Sequence, residues 1–118
     1  KNYFSLLIID NITDLFSFEY SKKEHLIEKN TNFGNYMINL SKMTQLENIP
    51  VIITNQVFSH DDKNYQRMHA QLENYVHQKI QLEKIKNKYT CKVSSPFIHD
   101  AKFDYKMTNS GIEETESI

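Results

Sequence analysis

Three polar side chains stand directly after short apolar runs, at positions where a parallel sheet exposes residues to a ligand. Asp10 ends the run YFSLLII that begins at Tyr3, and Asn55 and Gln56 follow the run VIIT that begins at Val51. In open α/β sheets the ligand crevice lies outside the carboxyl ends of the strands, so these residues are candidate site residues. The structural alternatives are that the aspartate caps the segment after it and that the amides bond strand-end backbone groups.

The elements that must position these residues follow the order strand, helix, strand. The run from Tyr3 to Ile9 is continuous and apolar, which is typical of a strand buried on both faces of a parallel sheet. From about Asn32 to Asn48, apolar residues recur at three- and four-residue intervals and predict an amphipathic helix. Val51 to Thr54 predicts the second strand. A helix that joins two parallel strands is a crossover unit, which brings the two strand ends side by side.

The second half of the chain predicts antiparallel strands. Phe58 to Met68 is polar without sustained periodicity, so it predicts a loop of about a dozen residues. Three segments with apolar residues on one face follow: Val76, Ile80 and Leu82; Tyr89 to Val93; and Phe103, Tyr105 and Met107. They predict three antiparallel strands that close the sheet. Cys91 is expected to be a small buried residue of the second strand rather than a nucleophile.

The composition limits the classes of function. The chain has 118 residues and is 39% hydrophobic, with a mean hydropathy of -0.62, which suits one small domain with a thin core. The net charge of -1 draws it to neither nucleic acid nor membrane, so any such binding must be local. With no apolar stretch near the roughly 20 residues that span a bilayer, we expect a soluble, intracellular protein without a membrane partner. Because Lys1 is followed almost at once by an apolar run, we also expect a piece of a larger domain.

Two strings flank the predicted helix, LLIID (Leu6 to Asp10) before it and VIITNQV (Val51 to Val57) after it. In this order they resemble the RecA-type recombinases, which include archaeal RadA and RadB and their eukaryotic relatives. Further strings stay in register with that family: FSFEYSKK (Phe16 to Lys23), QLEK (Gln81 to Lys84), SSPF (Ser94 to Phe97) and FDYKMTNSGIEE (Phe103 to Glu114). The resemblance implies an α/β fold, a partial RecA-like core in which parallel strands with a crossover helix are followed by antiparallel strands. It also implies that residues 1–112 are the C-terminal half of the ATPase domain and that residues 113–118 form an acidic tail.

The resemblance assigns roles in ATP chemistry to the strand-end residues. Asp10 resembles the Walker B acid, which helps hold magnesium through its water shell, because a hard cation prefers oxygen ligands. Gln56 resembles the γ-phosphate sensor, an amide that donates to phosphate oxygens and couples the site to the loop that follows, and Asn55 stands beside it. Near Pro96 the family carries an acid-Ser-Pro turn that caps the ATP of the neighbouring subunit, and here Ser94 replaces the acid.

The phosphate cradle of such a site does not occur in the sequence. A P-loop needs G-x-x-x-x-G-K-S/T, because glycine backbones let successive amides crowd around phosphate, and the two glycines are Gly34 and Gly111. The family's catalytic glutamate belongs to the segment before Lys1. We therefore expect ATP and magnesium to be cofactors of the full-length protein, and we expect no ATP hydrolysis by this chain alone.

Four cations fall where the family binds DNA. Lys22 and Lys23 correspond to the first DNA loop, and Lys63 and Arg67 to the second, where they would neutralise phosphates. Neighbouring acids dilute this charge, so a solvated mixed-charge loop is the alternative. The partners implied are DNA and other subunits of the same or a related recombinase, in the cytoplasm of an archaeon or the nucleus of a eukaryote.

The leading hypothesis is a C-terminal core fragment of an ATP-dependent protein of homologous recombination and DNA repair, either a strand-exchange recombinase or a RadB-like paralogue. Asp10, Asn55 and Gln56 favour it. One alternative is a non-catalytic recombination mediator whose nucleotide site has decayed, which Ser94 favours. The other is a different RecA-fold ATPase, such as a KaiC-like regulator, that shares the sheet without the DNA role.

Overall fold

The computed structural model describes residues 3–20, 22–56, 63–96 and 98–115, with only the backbone described at 63–67 and 98. In chain order the elements are β1 (Leu7–Ile9), α1 (Ile12–Glu19), a 3-10 helix (Lys23–His25), α2 (Leu26–Glu47), β2 (Val51–Ile53), α3 (Lys63–Glu73), β3 (Lys79–Ile85), β4 (Lys88–Ser95), β5 (Ile98–Thr108) and β6 (Gly111–Glu114). They form two compact units, residues 1–75 and 76–118.

The first unit contains the predicted parallel pair. Strands β1 and β2 are hydrogen-bonded side by side, with Leu7 opposite Val51 and Ile9 opposite Ile53. Because alternate residues of a strand point to opposite faces, these four side chains share the half-buried face. On the other face Ile8 is 60% exposed, so the expectation of a first strand buried on both faces is wrong.

Three helices build the core of this unit. Phe33 of α2 is 0% exposed, and its ring meets Phe16 of α1 edge to face at a centroid distance of 5.1 Å. The same Phe16 ring lies 5.5 Å from that of Tyr36. From α3, the buried Met68 sulfur accepts a hydrogen bond from Ser17 Oγ at 3.7 Å. Helix α1 is therefore held against both of the other helices.

Gly34 marks the place where α3 comes close to α2. A Cβ at this position would lie 3.0 Å from Gln71 Nε2, which donates a hydrogen bond to the carbonyl oxygen of Asn30 at 2.9 Å. A glycine inside a helix costs about 1 kcal/mol relative to alanine. The close approach of the glutamine amide accounts for a glycine in the middle of a long helix.

The second unit is an antiparallel sheet in the order β3-β4-β5-β6. Leu82 lies opposite Cys91, and Cys91 lies opposite Phe103, so these side chains share one apolar face. Cys91 is 6% exposed, which confirms the prediction of a small buried residue. On this face Leu82 is still 64% exposed, which leaves the outer strand open to solvent.

The opposite face of that sheet is polar and carries a charge pair. Lys88 Nζ lies 2.8 Å from Asp104 Oδ2, and Thr90 Oγ1 donates to Asp104 Oδ1 at 3.1 Å. The hydrogen bond from Lys88 holds the pKa of the Asp104 carboxyl below its usual value, and Thr90 acts in the same direction. The backbone carbonyl of Asp104 accepts from the amide of Thr115 at 3.0 Å, next to the last strand.

Comparison with the sequence-based predictions confirms the fold class and corrects several boundaries. The first strand starts at Leu7 rather than Tyr3, and the long helix spans Leu26–Glu47 rather than 32–48. No helix was predicted over Ile12–Glu19, whereas the structure has an eight-residue helix there with Ile12 and Thr13 buried. The loop predicted over 58–68 is wrong from residue 63 onward, where α3 begins, and its earlier part lies outside the described residues.

The antiparallel region also differs in detail. Among the residues that the structure describes, four such strands rather than three are present, and they form a hydrogen-bonded sheet of their own. Val76 precedes the first of them. Glu113 and Glu114, predicted to lie in an acidic tail, belong to β6 and are exposed there.

Over the part of the chain that the structure describes, no helix combines the length and apolar character needed to cross a bilayer.

Candidate functional site

The carboxyl ends of β1 and β2 lie side by side, as the crossover unit predicted. Pairing of Ile9 with Ile53 puts the next residues, Asp10 and Thr54, next to each other. The backbone continues the contact, since the Thr54 amide donates to the carbonyl of Ile9 and the Ile12 amide donates to the carbonyl of Thr54, both at 3.0 Å. The strand ends are thereby joined to the start of α1.

Thr54 is the direct partner of the candidate carboxylate. Its Oγ1 donates a hydrogen bond to Asp10 Oδ1 at 2.6 Å and accepts one from the Asn11 amide at 2.8 Å. Asn11 has a left-handed backbone with φ of 53°, a conformation that asparagine tolerates better than most residues. One oxygen of Asp10 is thus oriented by the threonine, and the carboxyl group is exposed at the strand end.

Thr54 was not among the predicted site residues, although the sequence carries a signal for it. A threonine directly before the amide pair is the residue that the parallel register sets against Asp10. Thr54 was predicted only as the last residue of an apolar strand. Its hydroxyl is what connects the two strand ends.

Asn55, one of the two predicted amides, is engaged inside the unit. Thr13 Oγ1 donates to Asn55 Oδ1 at 2.8 Å, and Asn55 Nδ2 lies 3.3 Å from His69 Nδ1. The same imidazole has its Nε2 at 3.3 Å from Glu73 Oε1. Both ends of the Asn55 amide are therefore in contact with helices, α1 through Thr13 and α3 through His69.

Gln56, the other predicted amide, is exposed and directly precedes residues 57–62, which lie outside the described part. It lies two residues beyond Thr54, whose side chain bonds Asp10. The strands that carry Asp10 and Gln56 are neighbours, as the sequence-based argument required.

An open depression adjoins this strand end, lined by Asp10, Asn11, Asp14, Leu15 and Phe18. Its carboxylate oxygens are the ligand type that a hard cation such as Mg²⁺ prefers. Across the described residues, no three His, Cys, Asp or Glu side chains cluster so as to hold a metal ion. A magnesium ion at this strand end would keep most of its water shell and would meet Asp10 through water, so the magnesium role of Asp10 stays a prediction.

The other predicted site residues lie outside this cluster. Ser94 is in β4, opposite Lys79, and Pro96 occupies the exposed turn between β4 and β5, which agrees with its interpretation as a rigid turn. Lys22 and Lys23 are exposed, at the start of the 3-10 helix.

The second pair of predicted cations lies on the helix that also carries His69. Lys63 is the first residue of α3, and Arg67 lies one turn further along the backbone. Both residues were predicted to lie in a loop, which is wrong, because the described helix already begins at Lys63.

Comparison with known proteins points to one family. The Rad51 family model matches residues 1–115. The DNA repair and recombination protein RadA of Ignicoccus hospitalis is 28% identical over 123 residues, which covers 98% of this chain and 38% of the relative. RadA of Methanococcus voltae is 28% identical over 120 residues, covering 96% of this chain and 37% of the relative.

A shorter match has a higher sequence identity. RadA of Methanococcus maripaludis strain C7 is 36% identical over 61 residues, which covers 52% of this chain and 19% of the relative. The chain thus spans less than two fifths of the length of these relatives, for example 38% of the Ignicoccus protein. Since the family model covers the chain from its first residue to residue 115, this protein belongs to the Rad51 family.

Proposed function

We propose that this chain supplies the strand-end part of a magnesium–nucleotide site in an ATP-dependent protein of DNA recombination and repair. The observation that carries the proposal is the pair formed by Asp10 and Thr54, whose side chains bond at 2.6 Å across the ends of two parallel strands. In open α/β sheets, the ends of such strands are where ligands bind. RadA proteins, to which the chain is similar over almost its whole length, are named for DNA repair and recombination.

The geometry supports a defined task for each residue. With one oxygen of Asp10 accepting from Thr54, the carboxylate has a fixed orientation and can accept from water molecules around magnesium through its remaining lone pairs. Gln56 is exposed two residues beyond Thr54 and carries an amide that would donate to a phosphate oxygen. Bound magnesium would neutralise phosphate charge. The glycine-rich phosphate cradle does not occur among these 118 residues, so it must come from elsewhere in a functional ATPase.

We further propose that DNA and neighbouring subunits are the macromolecular partners. Lys22 and Lys23 are exposed next to each other, a position from which ammonium groups contact phosphates. Lys63 and Arg67 are proposed as a second group of phosphate contacts. Residues 94–96, at the end of β4, are proposed to face the ATP of a neighbouring subunit.

A second candidate function is a recombination mediator without ATPase activity. The observation that favours it is that Asn55 bonds to Thr13 and lies beside His69, and so is not turned toward a ligand. The presence of Ser94 where the resemblance implies an acid also favours it. In this case the fold would serve chiefly as a protein interface.

The test is binding of single-stranded DNA by the full-length protein over a series of salt concentrations, with and without magnesium and ATP. A recombinase should bind more tightly with ATP, and its affinity should fall steeply with salt, because bound phosphates release counterions. Replacing Lys22 and Lys23 by alanine should flatten the logarithmic salt dependence by roughly 0.7 per lost phosphate contact. Lys42→Ala, an exposed change in α2, is the matched control.

Two outcomes would overturn the proposal. Absent or salt-insensitive DNA binding contradicts the recombinase function. DNA binding that Asp10→Asn leaves equally responsive to ATP would contradict the assigned magnesium role. Nucleotide-independent association with another recombinase, without DNA binding, would instead support the mediator.

A further inference from the structure

A chain of four polar side chains connects three elements of the first unit. Thr13 is near the start of α1, Asn55 follows β2, and His69 and Glu73 lie one turn apart on α3. Successive contacts are 2.8 Å from Thr13 Oγ1 to Asn55 Oδ1, 3.3 Å from Asn55 Nδ2 to His69 Nδ1, and 3.3 Å from His69 Nε2 to Glu73 Oε1. Every contact in this series of side chains joins polar atoms, so apolar packing does not account for it.

The chemistry of the end groups sets the direction of every bond. The Glu73 carboxylate accepts only, so the contact of 3.3 Å with His69 Nε2 favours a proton on that nitrogen. In a neutral imidazole Nδ1 is then the acceptor, and Asn55 Nδ2 donates to it. The Asn55 carbonyl is left to accept from the Thr13 hydroxyl, as its position requires. The chain therefore has one consistent donor-to-acceptor direction, from Thr13 to Glu73.

Burial gives this arrangement an energetic consequence. Thr13 is 2% exposed and the His69 side chain is 35% exposed, so water replaces only part of a lost hydrogen bond. The residue before Asn55 is Thr54, which holds Asp10. The contacts that hold Asn55 therefore restrain the chain next to the residue that bonds Asp10.

We propose that His69 is a positioning residue for the strand end: it holds the amide of Asn55, so that Asn55 ties β2 to α1 and α3 while Asp10, Thr54 and Gln56 face the ligand. This assigns Asn55 an internal role in place of nucleotide contact. The proposal rests on the proposed function only where it concerns nucleotide affinity. The polar chain and its effect on the strand end stand on the geometry alone.

The test uses two replacements of His69 in the full-length protein. His69→Gln keeps an acceptor for Asn55 and a donor for Glu73, whereas His69→Leu keeps a similar size and removes both. His77→Leu, at an exposed histidine outside the chain, is the matched control. All variants are compared at about pH 8, above the range in which histidine side chains usually titrate.

Hydrogen exchange at two backbone amides reports on the strand end. The amides of Ile12 and Thr54 are bonded across it, and we expect them to exchange about tenfold faster in His69→Leu, the effect of losing one partly buried hydrogen-bond partner. His69→Gln and His77→Leu should stay within about twofold of the parent protein. The amides of Met37 and Leu40 in the α2 core should not change in any variant, since the effect is local. Nitrogen NMR of the parent imidazole should find the proton on Nε2.

Three results would overturn the proposal: unchanged exchange at both strand-end amides in His69→Leu, an equal acceleration in the α2 core, or a proton on Nδ1. The second result would mean that His69 contributes only to global stability. Failure of His69→Gln to restore slow exchange would also contradict the hydrogen-bond role.

Binding of the fluorescent nucleotide mant-ADP with magnesium extends the test to the site. We expect several-fold weaker binding in His69→Leu and restored binding in His69→Gln. If the parent protein does not bind mant-ADP, the proposed function fails, and the exchange experiment still decides the role of His69. Binding that is equally tight in His69→Leu, despite faster exchange, would overturn the link to the site.

Discussion

The bond between Thr54 and Asp10 allows a sharp prediction, because one hydroxyl can be removed without changing the shape of the side chain. Thr54→Val keeps the branched side chain and deletes the donor that lies 2.6 Å from Asp10 Oδ1 and the acceptor 2.8 Å from the Asn11 amide. A hydrogen bond to a charged group contributes about 1.5–3 kcal/mol when it is shielded from water. Both side chains are exposed here, so water replaces much of that contribution, and we expect a loss of about 1 kcal/mol.

The assay has two parts. Urea unfolding should show a free energy of unfolding lower by about 1 kcal/mol in Thr54→Val, with an unchanged dependence on denaturant. Binding of mant-ADP with magnesium should weaken about fivefold, because the carboxylate is no longer oriented and 1 kcal/mol corresponds to roughly that factor. Thr54→Ser is the matched control. It keeps the hydroxyl and should retain nucleotide affinity even where loss of the methyl group lowers stability.

Two results would refute this reasoning. Equal nucleotide affinity in Thr54→Val and the parent protein would mean that the threonine does not prepare Asp10 for its task. Equal weakening in Thr54→Ser would mean that the methyl group, not the hydrogen bond, is what matters at the strand end.

Two further predictions concern stability. Phe33→Ala removes the fully buried ring of α2 and should lower the free energy of unfolding by about 3–5 kcal/mol. Phe18→Ala, at a side chain that is 85% exposed, should change the free energy of unfolding by less than about 0.5 kcal/mol. Thermal unfolding of both variants measures the difference. The hydrogen bond from Lys88 lowers the pKa of Asp104, so the carboxylate stabilises the fold above the titration of a free aspartate, about pH 4, and this contribution is lost as the pH falls through the lowered folded-state pKa. Asp104→Asn should therefore remove part of the acid sensitivity of the melting temperature, and an unaltered acid profile would contradict the assignment.

The fold class followed from patterns that are local in the sequence. Strand β2 was predicted correctly because a few consecutive residues suffice to recognise an apolar run that ends in polar residues. The apolar stripe identified α2 but placed its start late, because residues 26–31 of the helix contribute only Lys29 to the buried set. The start of α3 was missed, since its first five residues are mostly polar and its buried apolar residues, Met68 and Leu72, lie further along.

In the candidate site, too, some residues were recognisable from local sequence and others were not. Asp10 was recognisable because an acid after an apolar run marks a strand end whatever the rest of the fold does. Thr54 was not, because its role depends on a register that pairs it with a residue 44 positions away. The contact between Asn55 and His69 of α3 could not be predicted either. A lone histidine in a sequence does not show whether it lies on a helix surface or contacts a strand end.

By itself, then, the sequence determined the family, the order of β1, α2 and β2, and the placement of a carboxylate and two amides after apolar strands, since hydrophobic periodicity and short strings survive without knowledge of the fold. Only the tertiary structure decided which hydroxyl holds Asp10, that Asn55 binds inward to helices, and that one face of the β1–β2 pair stays accessible. The physical reason is that hydrogen bonds and burial depend on side chains that become neighbours only when distant segments pack, and local patterns carry no record of that pairing.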